Sequence, residues 1–189
     1  TKTQDALSPA ARALDFATDG WALSYANLAP ETESSPVGQA FLASNIAYAL
    51  TGIFLTLQGD VFLGFLTELV SVASFTYHYT QLQAYDNAQD SNVRLALMID
   101  YILAFSTIFV GLAYILMDQQ LPPIDGLVSG GVGIACLLLC CVWERGLPYI
   151  LLHPLWHLFS AYCGYSIGNA QLRACSTNDF ASFSALVAF

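Results

Sequence analysis

The sequence predicts an all-α, polytopic transmembrane helical bundle of about five spans. Three observations carry that reading. Only 10% of the 189 residues are Asp, Glu, Lys or Arg, while 56% are hydrophobic; a soluble domain carries about 25% charge. The charges fall mostly between uncharged runs, and several of those runs reach the roughly 20 residues that a helix needs to cross a bilayer. No segment alternates with period two over strand length, so a barrel signature is missing. Lipid leaves helices as the remaining solution.

Residues 1–36 form a polar N-terminal arm, in which Ser8-Pro9 offers a helix start and Leu14, Ala17 and Trp21 share a face. That pattern fits either an interfacial helix or an ordinary surface arm, and "APETESSP" reads as a loop. The transmembrane domain is 37–172. Val37–Gly59 contains no charge and gives the first span, "QGD" at Gln58–Asp60 a tight turn, and Val61–Leu82 the second span. "QAYDNAQDSNV" is a polar loop, Arg94–Met117 the third span, and "DQQLPPIDG" its close. Gly126–Trp143 is the fourth span, "ERGLP" a turn with a solvated Glu144/Arg145 pair, and Leu151–Leu172 the fifth. Residues 173–189 form a C-terminal tail whose "FASFSALVAF" is apolar but too short to cross alone.

Charge limits the partners. The formal net charge is −9 and the five Lys and Arg residues are scattered, which excludes nucleic acid, since phosphate binding needs clustered cations. Membrane lipids and a larger membrane assembly are the partners that fit. Five spans place the arm, the 83–93 loop and the 144–147 turn on one side, with Lys2, Arg12, Arg94 and Arg145 against Arg173 opposite. The positive-inside rule puts that side in the cytoplasm or stroma, in an organelle the sequence leaves open. Cys136, Cys140, Cys141, Cys163 and Cys175 are odd in number and lie mostly in apolar runs. They read as buried thiols rather than a disulfide framework, and without a CxxC pair they do not suggest zinc.

The chain has three histidines, all at the edges of membrane-length runs: His78 in "SFTYH", His153 and His157 in "HPLWH". The second span ends on the side where the third and fifth begin. Ser74, His78, Asp100, His153 and His157 therefore share one depth. His153 and His157 are spaced i,i+4, as are Ser74 and His78, so each pair projects from one helix face. Three neutral imidazoles and a water make an open, catalytic form of zinc site. Pro154 is tolerated as a first-turn residue. The alternatives at this point are imidazoles that only bond neighbouring helices, or imidazoles that ligate a chlorophyll or haem. Glu68, mid-span on another face, reads as a protonated or hydrogen-bonded structural carboxylate, and the aromatic residues read as packing and interfacial belt.

The motifs "SFTYH", "MIDYILAFS" and "HPLWHLFSAYCGY" resemble the superfamily of alkaline ceramidases, progestin and adiponectin receptors and Per1-like remodelling proteins. The wording is nearest the myomaker-like branch. The resemblance covers roughly residues 40–170. It implies His78, His153 and His157 as zinc ligands, Ser74 and Asp100 in contact with the water on the metal, and hydrolysis of amide or ester bonds in lipids. The family has seven spans, with three helices between the Asp helix and the last. Here only about one fits between Met117 and Leu151, which preserves the parity and so the meeting of the motifs.

Two classes of function are compatible with these features. One is a zinc-dependent integral membrane hydrolase acting on an amide or ester bond of a lipid. The other is a non-catalytic small subunit of a larger membrane complex, for example a photosynthetic one. Such a subunit would keep a structural metal site or use histidine as a pigment ligand, or hold no cofactor.

Overall fold

The computed structural model describes residues 34–84, 91–118, 121–142 and 147–187, with side chains described over 34–83, 93–117, 121–140 and 148–176. The interfacial helix expected in the arm and the Glu144/Arg145 pair lie outside these residues. The described residues are all helix and short connections: α1 Pro36–Ala43, α2 Ile46–Gln58, α3 Val61–Ala84, α4 Ser91–Asp118, α5 Ile124–Val142 and α6 Leu147–Val187. Three stretches are long and apolar enough to cross a membrane, Pro36–Gln58, Val61–Gln83 and Val93–Met117, and Ile124–Cys140 is a shorter apolar helix. Phe62, Phe65, Phe105, Phe109 and Leu116 are among the many large apolar side chains exposed on the surface of these helices, an outer face suited to a bilayer.

The first span begins where Ser35 caps Gly38 N–H at 3.0 Å with Pro36 behind it, the N-terminal chemistry that helices prefer. It is not the single helix predicted for Val37–Gly59. At Ser44-Asn45 the backbone tightens to i→i−3 bonds, Asn45 N–H reaching Leu42 O at 3.2 Å and Tyr48 N–H reaching Asn45 O at 3.1 Å. The cause is local. Ser44 Oγ donates to Phe41 O at 2.6 Å and Asn45 Nδ2 donates to Leu42 O at 3.0 Å. These short polar side chains compete with the backbone for its own acceptors. Ser71 Oγ of α3 donates to Asn45 O at 3.0 Å and anchors the break.

Gly59, with φ 107°, turns the chain between α2 and α3, as "QGD" predicts. Asp60 then caps α3 through Oδ1, which accepts Leu63 N–H at 3.0 Å and the Tyr114 hydroxyl of α4 at 3.1 Å. The α2–α3 hairpin closes at Gly52 and Gly64. A Cβ on Gly64 would meet Gly52 O at 2.8 Å and collide with Thr56 Oγ1, the close backbone approach that small residues give to membrane helices. Gly64→Ala is expected to destabilise the protein by about 1–3 kcal/mol, as overpacking does. The check is a lowered melting temperature in detergent. Glu68 sits at the same crossing with Oε1 buried against Gly52 and no hydrogen-bond partner among the described residues.

α6 is the centre of the bundle, packed against α1, α2, α4 and α5. It departs from its predicted bounds at both ends. It starts at Leu147 with Pro148 in its first turn, so Pro154 is interior rather than initial. The ring removes an amide there, which costs about 3 kcal/mol in an exposed helix but is tolerated where neighbouring helices pack on the break. The helix also continues past Leu172 to Val187, so the backbone of the tail is helical. At about 1.5 Å per residue its 41 residues exceed the roughly 30 Å of a hydrocarbon core. Cys136 and Cys140 are buried, as a thiol acting as a hydrophobe should be, but Cys163 is half-buried and Cys175 exposed, accepting from Gln171 Nε2 at 3.4 Å.

Two gaps interrupt the packing. The backbones of α3 and α6 stand apart, and consecutive helices α4 and α5 make no substantial contact with each other. The first gap is filled by imidazoles. The second leaves an opening.

Candidate metal centre

α3 carries Ser74 and His78 one turn apart, α4 carries Asp100, and the first turns of α6 carry His153 and His157. The three imidazoles meet between α3 and α6. Ring centroids are 4.7 Å apart for His78–His153, 5.1 Å for His78–His157 and 4.7 Å for His153–His157. One nitrogen from each ring lies within 4.8 Å of the other two. Tetrahedral zinc with Zn–N bonds of about 2.0–2.1 Å needs ligand nitrogens about 3.4 Å apart, so ring rotations on the order of 1 Å close the set. The rings are steeply inclined to one another, by 76°, 48° and 82°, so they are not a packed stack.

Hydrogen bonding leaves nitrogens unused. His78 Nδ1 pairs with Gln81 Oε1 at 3.1 Å, and its Nε2 has no partner among the described residues. His153 Nδ1 has none either. His157 Nδ1 is 2.7 Å from Ser44 Oγ. His78 and His157 are essentially inaccessible at 0% and 1% exposure. A buried polar nitrogen without a partner costs about 1–3 kcal/mol, and here two of them sit in one cluster. A cation shared by the three rings removes that cost.

Aromatic rings close the cluster. Phe41 stands 4.6 Å and Tyr77 4.7 Å from the His78 ring, Tyr149 5.1 Å from His153, and Tyr48 5.4 Å from His157, centroid to centroid. Tyr48 is held by its hydroxyl, 2.6 Å from Ser160 Oγ. On the other side a cavity of about 420 Å³ reaches His153 and His157, with Ser74 and Asp100 also on its wall. Ser74 and Asp100 are buried and face one another, the hydroxyl toward the carboxyl. The rest of the wall is largely apolar and includes Phe105 of α4 and Leu138 of α5. Those two are 67% and 60% exposed, so the cavity reaches the lipid-facing surface where α4 and α5 fail to pack.

All five residues singled out from the sequence are thus brought to one place, His78, His153 and His157 as the cluster and Ser74 and Asp100 on the cavity beside it. Sequence reasoning missed Ser44, Gln81 and the aromatic enclosure. Two signals pointed to the polar pair: Gln81 lies three residues after His78, and Ser44-Asn45 is a polar dipeptide inside an uncharged run. The tyrosines and Phe41 carried no signal, because their spacing is that of any packed helix. No family model, no curated protein and no solved structure matches the chain.

Proposed function

We propose that the protein is a zinc-dependent integral membrane hydrolase that cleaves an amide or ester bond of a lipid, and that it belongs with the family its motifs resemble. The observation that carries the reading is the adjacency of three mutually convergent imidazoles to a mainly apolar cavity holding one carboxyl and one hydroxyl. His78, His153 and His157 would hold the ion, beside the cavity that His153 and His157 also line. A bound Zn²⁺ supplies acidity to a water and polarisation to a carbonyl at neutral pH.

The chain's own residues do the rest. The cavity takes an acyl chain from the bilayer through the α4/α5 opening and keeps bulk water from the reacting carbonyl. Hydrolysis forms one bond from water oxygen to the acyl carbon and breaks the bond to the leaving nitrogen or oxygen. One water proton must reach that leaving group. Asp100 is the carboxyl placed to take the proton and return it. Ser74 orients Asp100 and offers a hydroxyl to the developing oxyanion. Pigment ligation fits less well: a macrocycle needs one imidazole with an open face, and each ring here has the other two within about 5 Å.

The test is metal content and hydrolysis together. Protein purified without chelators should contain one zinc per chain and release fatty acid from a long-chain N-acyl amide or a lipid ester in mixed micelles. Chelation should stop the release, and added zinc should restore it. Zinc-free protein from such a preparation would defeat the reading. A second reading has its own observation in the α4/α5 gap, which a helix of another subunit could fill. In that case the protein would be found in a stable complex, and replacing a histidine would alter assembly alone.

A further inference from the structure

We propose that Ser44, through the break in the first span, is a positioning residue that holds His157 as the Nδ1–H tautomer and so leaves Nε2 as its ligating atom. The inference rests on the zinc reading, but its first measurement is made without metal.

Proton counting at the break decides the tautomer. In an unbroken helix Phe41 O would accept the amide of Asn45, four residues on. The break redirects that amide to Leu42 O at 3.2 Å. Phe41 O keeps only a long 3.3 Å share of Ser44 N–H, which is otherwise committed to Ala40 O at 3.0 Å. The Ser44 hydroxyl stands in for the missing donor at 2.6 Å. A carbonyl can only accept, and a hydroxyl has one hydrogen. With that hydrogen on Phe41 O, Ser44 Oγ meets His157 Nδ1 at 2.7 Å as an acceptor. Nδ1 must then carry the ring proton and donate it.

The opposite assignment fails at both ends. If Ser44 donated to Nδ1, Phe41 O would lose its short bond. His157 would carry its proton on Nε2, where a protonated nitrogen cannot bind a cation. Nothing in the sequence spacing chooses between these; the helix break does. The break is itself fixed from two sides, by Asn45 Nδ2 on Leu42 O at 3.0 Å and by Ser71 Oγ on Asn45 O at 3.0 Å. His78 obeys the same logic within α3. Its Nδ1 is 3.1 Å from Gln81 Oε1, and its Nε2 is the nitrogen left over. A metal-ligating imidazole usually donates its other ring N–H to an oxygen acceptor, the part that Ser44 Oγ and Gln81 Oε1 would take here.

The chain has only three histidines, so the tautomers can be read directly. Full-length protein labelled with ¹⁵N-histidine, stripped of metal and placed in nanodiscs, is measured at alkaline pH. The His157 signals are assigned by their absence in His157→Gln. The proposal expects a proton on Nδ1 in the wild type. Ser44→Ala should give a mixture of tautomers and weaken Zn²⁺ binding, in competition with a chromophoric chelator, by about 10–100-fold. Ser44→Thr, which keeps the hydroxyl, should stay close to wild type in both. A wild-type proton on Nε2 overturns the proposal, as does Ser44→Ala with unchanged tautomer and unchanged zinc affinity. If Ser44→Ala does not fold, the wild-type tautomer decides alone. Wild type with Nδ1–H but no affinity for zinc would sink the hydrolase reading and leave the tautomer assignment standing.

Discussion

Replacing His153 by Ala is expected to strip zinc from the protein and lower lipid hydrolysis by at least about 10³-fold, the loss of several kcal/mol of charge stabilisation in the transition state. His153 is the sensitive choice because its ring lies 4.7 Å from each of the other two and also lines the cavity. Removing it leaves two imidazoles, fewer than the three protein ligands of a catalytic zinc site. It removes no hydrogen bond from Nδ1, which has no partner among the described residues. The helix should therefore survive. Three measurements on one preparation check this: zinc per chain, product release from an N-acyl amide and a lipid ester, and far-ultraviolet circular dichroism. Hydrolysis that persists in zinc-free His153→Ala would mean that the chemistry does not use this cluster.

Asp100→Asn should separate chemistry from metal binding. The amide has almost the carboxyl's shape, and Asp100 lies beside the histidines as a neighbour of Ser74 rather than among the clustered ligand nitrogens. Zinc content should stay at the wild-type level while kcat falls by about 10²–10⁴-fold, the range of a positioned acid–base group. Ser74→Ala should cost less than Asp100→Asn. The double variant should cost less than the two losses combined, because in the proposed reaction the hydroxyl and the carboxyl would serve the same proton and removal of one would disable the other. An Asp100→Asn protein with full activity would exclude the carboxyl from the reaction. One that loses its zinc would show that the carboxyl acts by orienting an imidazole instead.

Two features, the length of the uncharged runs and the i,i+4 spacing of polar residues, made the bundle and its candidate site legible in the sequence. Uncharged runs of membrane length gave the helical bundle, and counting their parity placed Ser74, His78, Asp100, His153 and His157 at one end of it. The structure brings the five to one place, the histidines as a cluster and Ser74 and Asp100 on the cavity beside it. The i,i+4 spacings gave the shared faces of Ser74 with His78 and of His153 with His157. Such features are local, and a helix repeats them wherever it forms. Helix bounds were less legible. Pro154 suggests a helix beginning beside it, yet α6 starts at Leu147, because packing on four other helices outweighs the lost amide bond. The Ser44-Asn45 break was marked only by a polar dipeptide in an uncharged run, and such a dipeptide does not by itself fix whether its side chains will take over backbone acceptors.

The sequence by itself determined a bundle of membrane-length apolar helices and singled out Ser74, His78, Asp100, His153 and His157 as residues that meet, because hydrocarbon penalises exceptions to the apolar pattern and so makes each exception visible. Tertiary structure alone decided which nitrogens of those histidines are left without partners, that aromatic rings enclose them, and that α4 and α5 stay apart to open a cavity onto the lipid face. Those features depend on contacts between residues as distant as Ser44 and His157, 113 positions apart, and no spacing along a single helix encodes which ring will meet which hydroxyl.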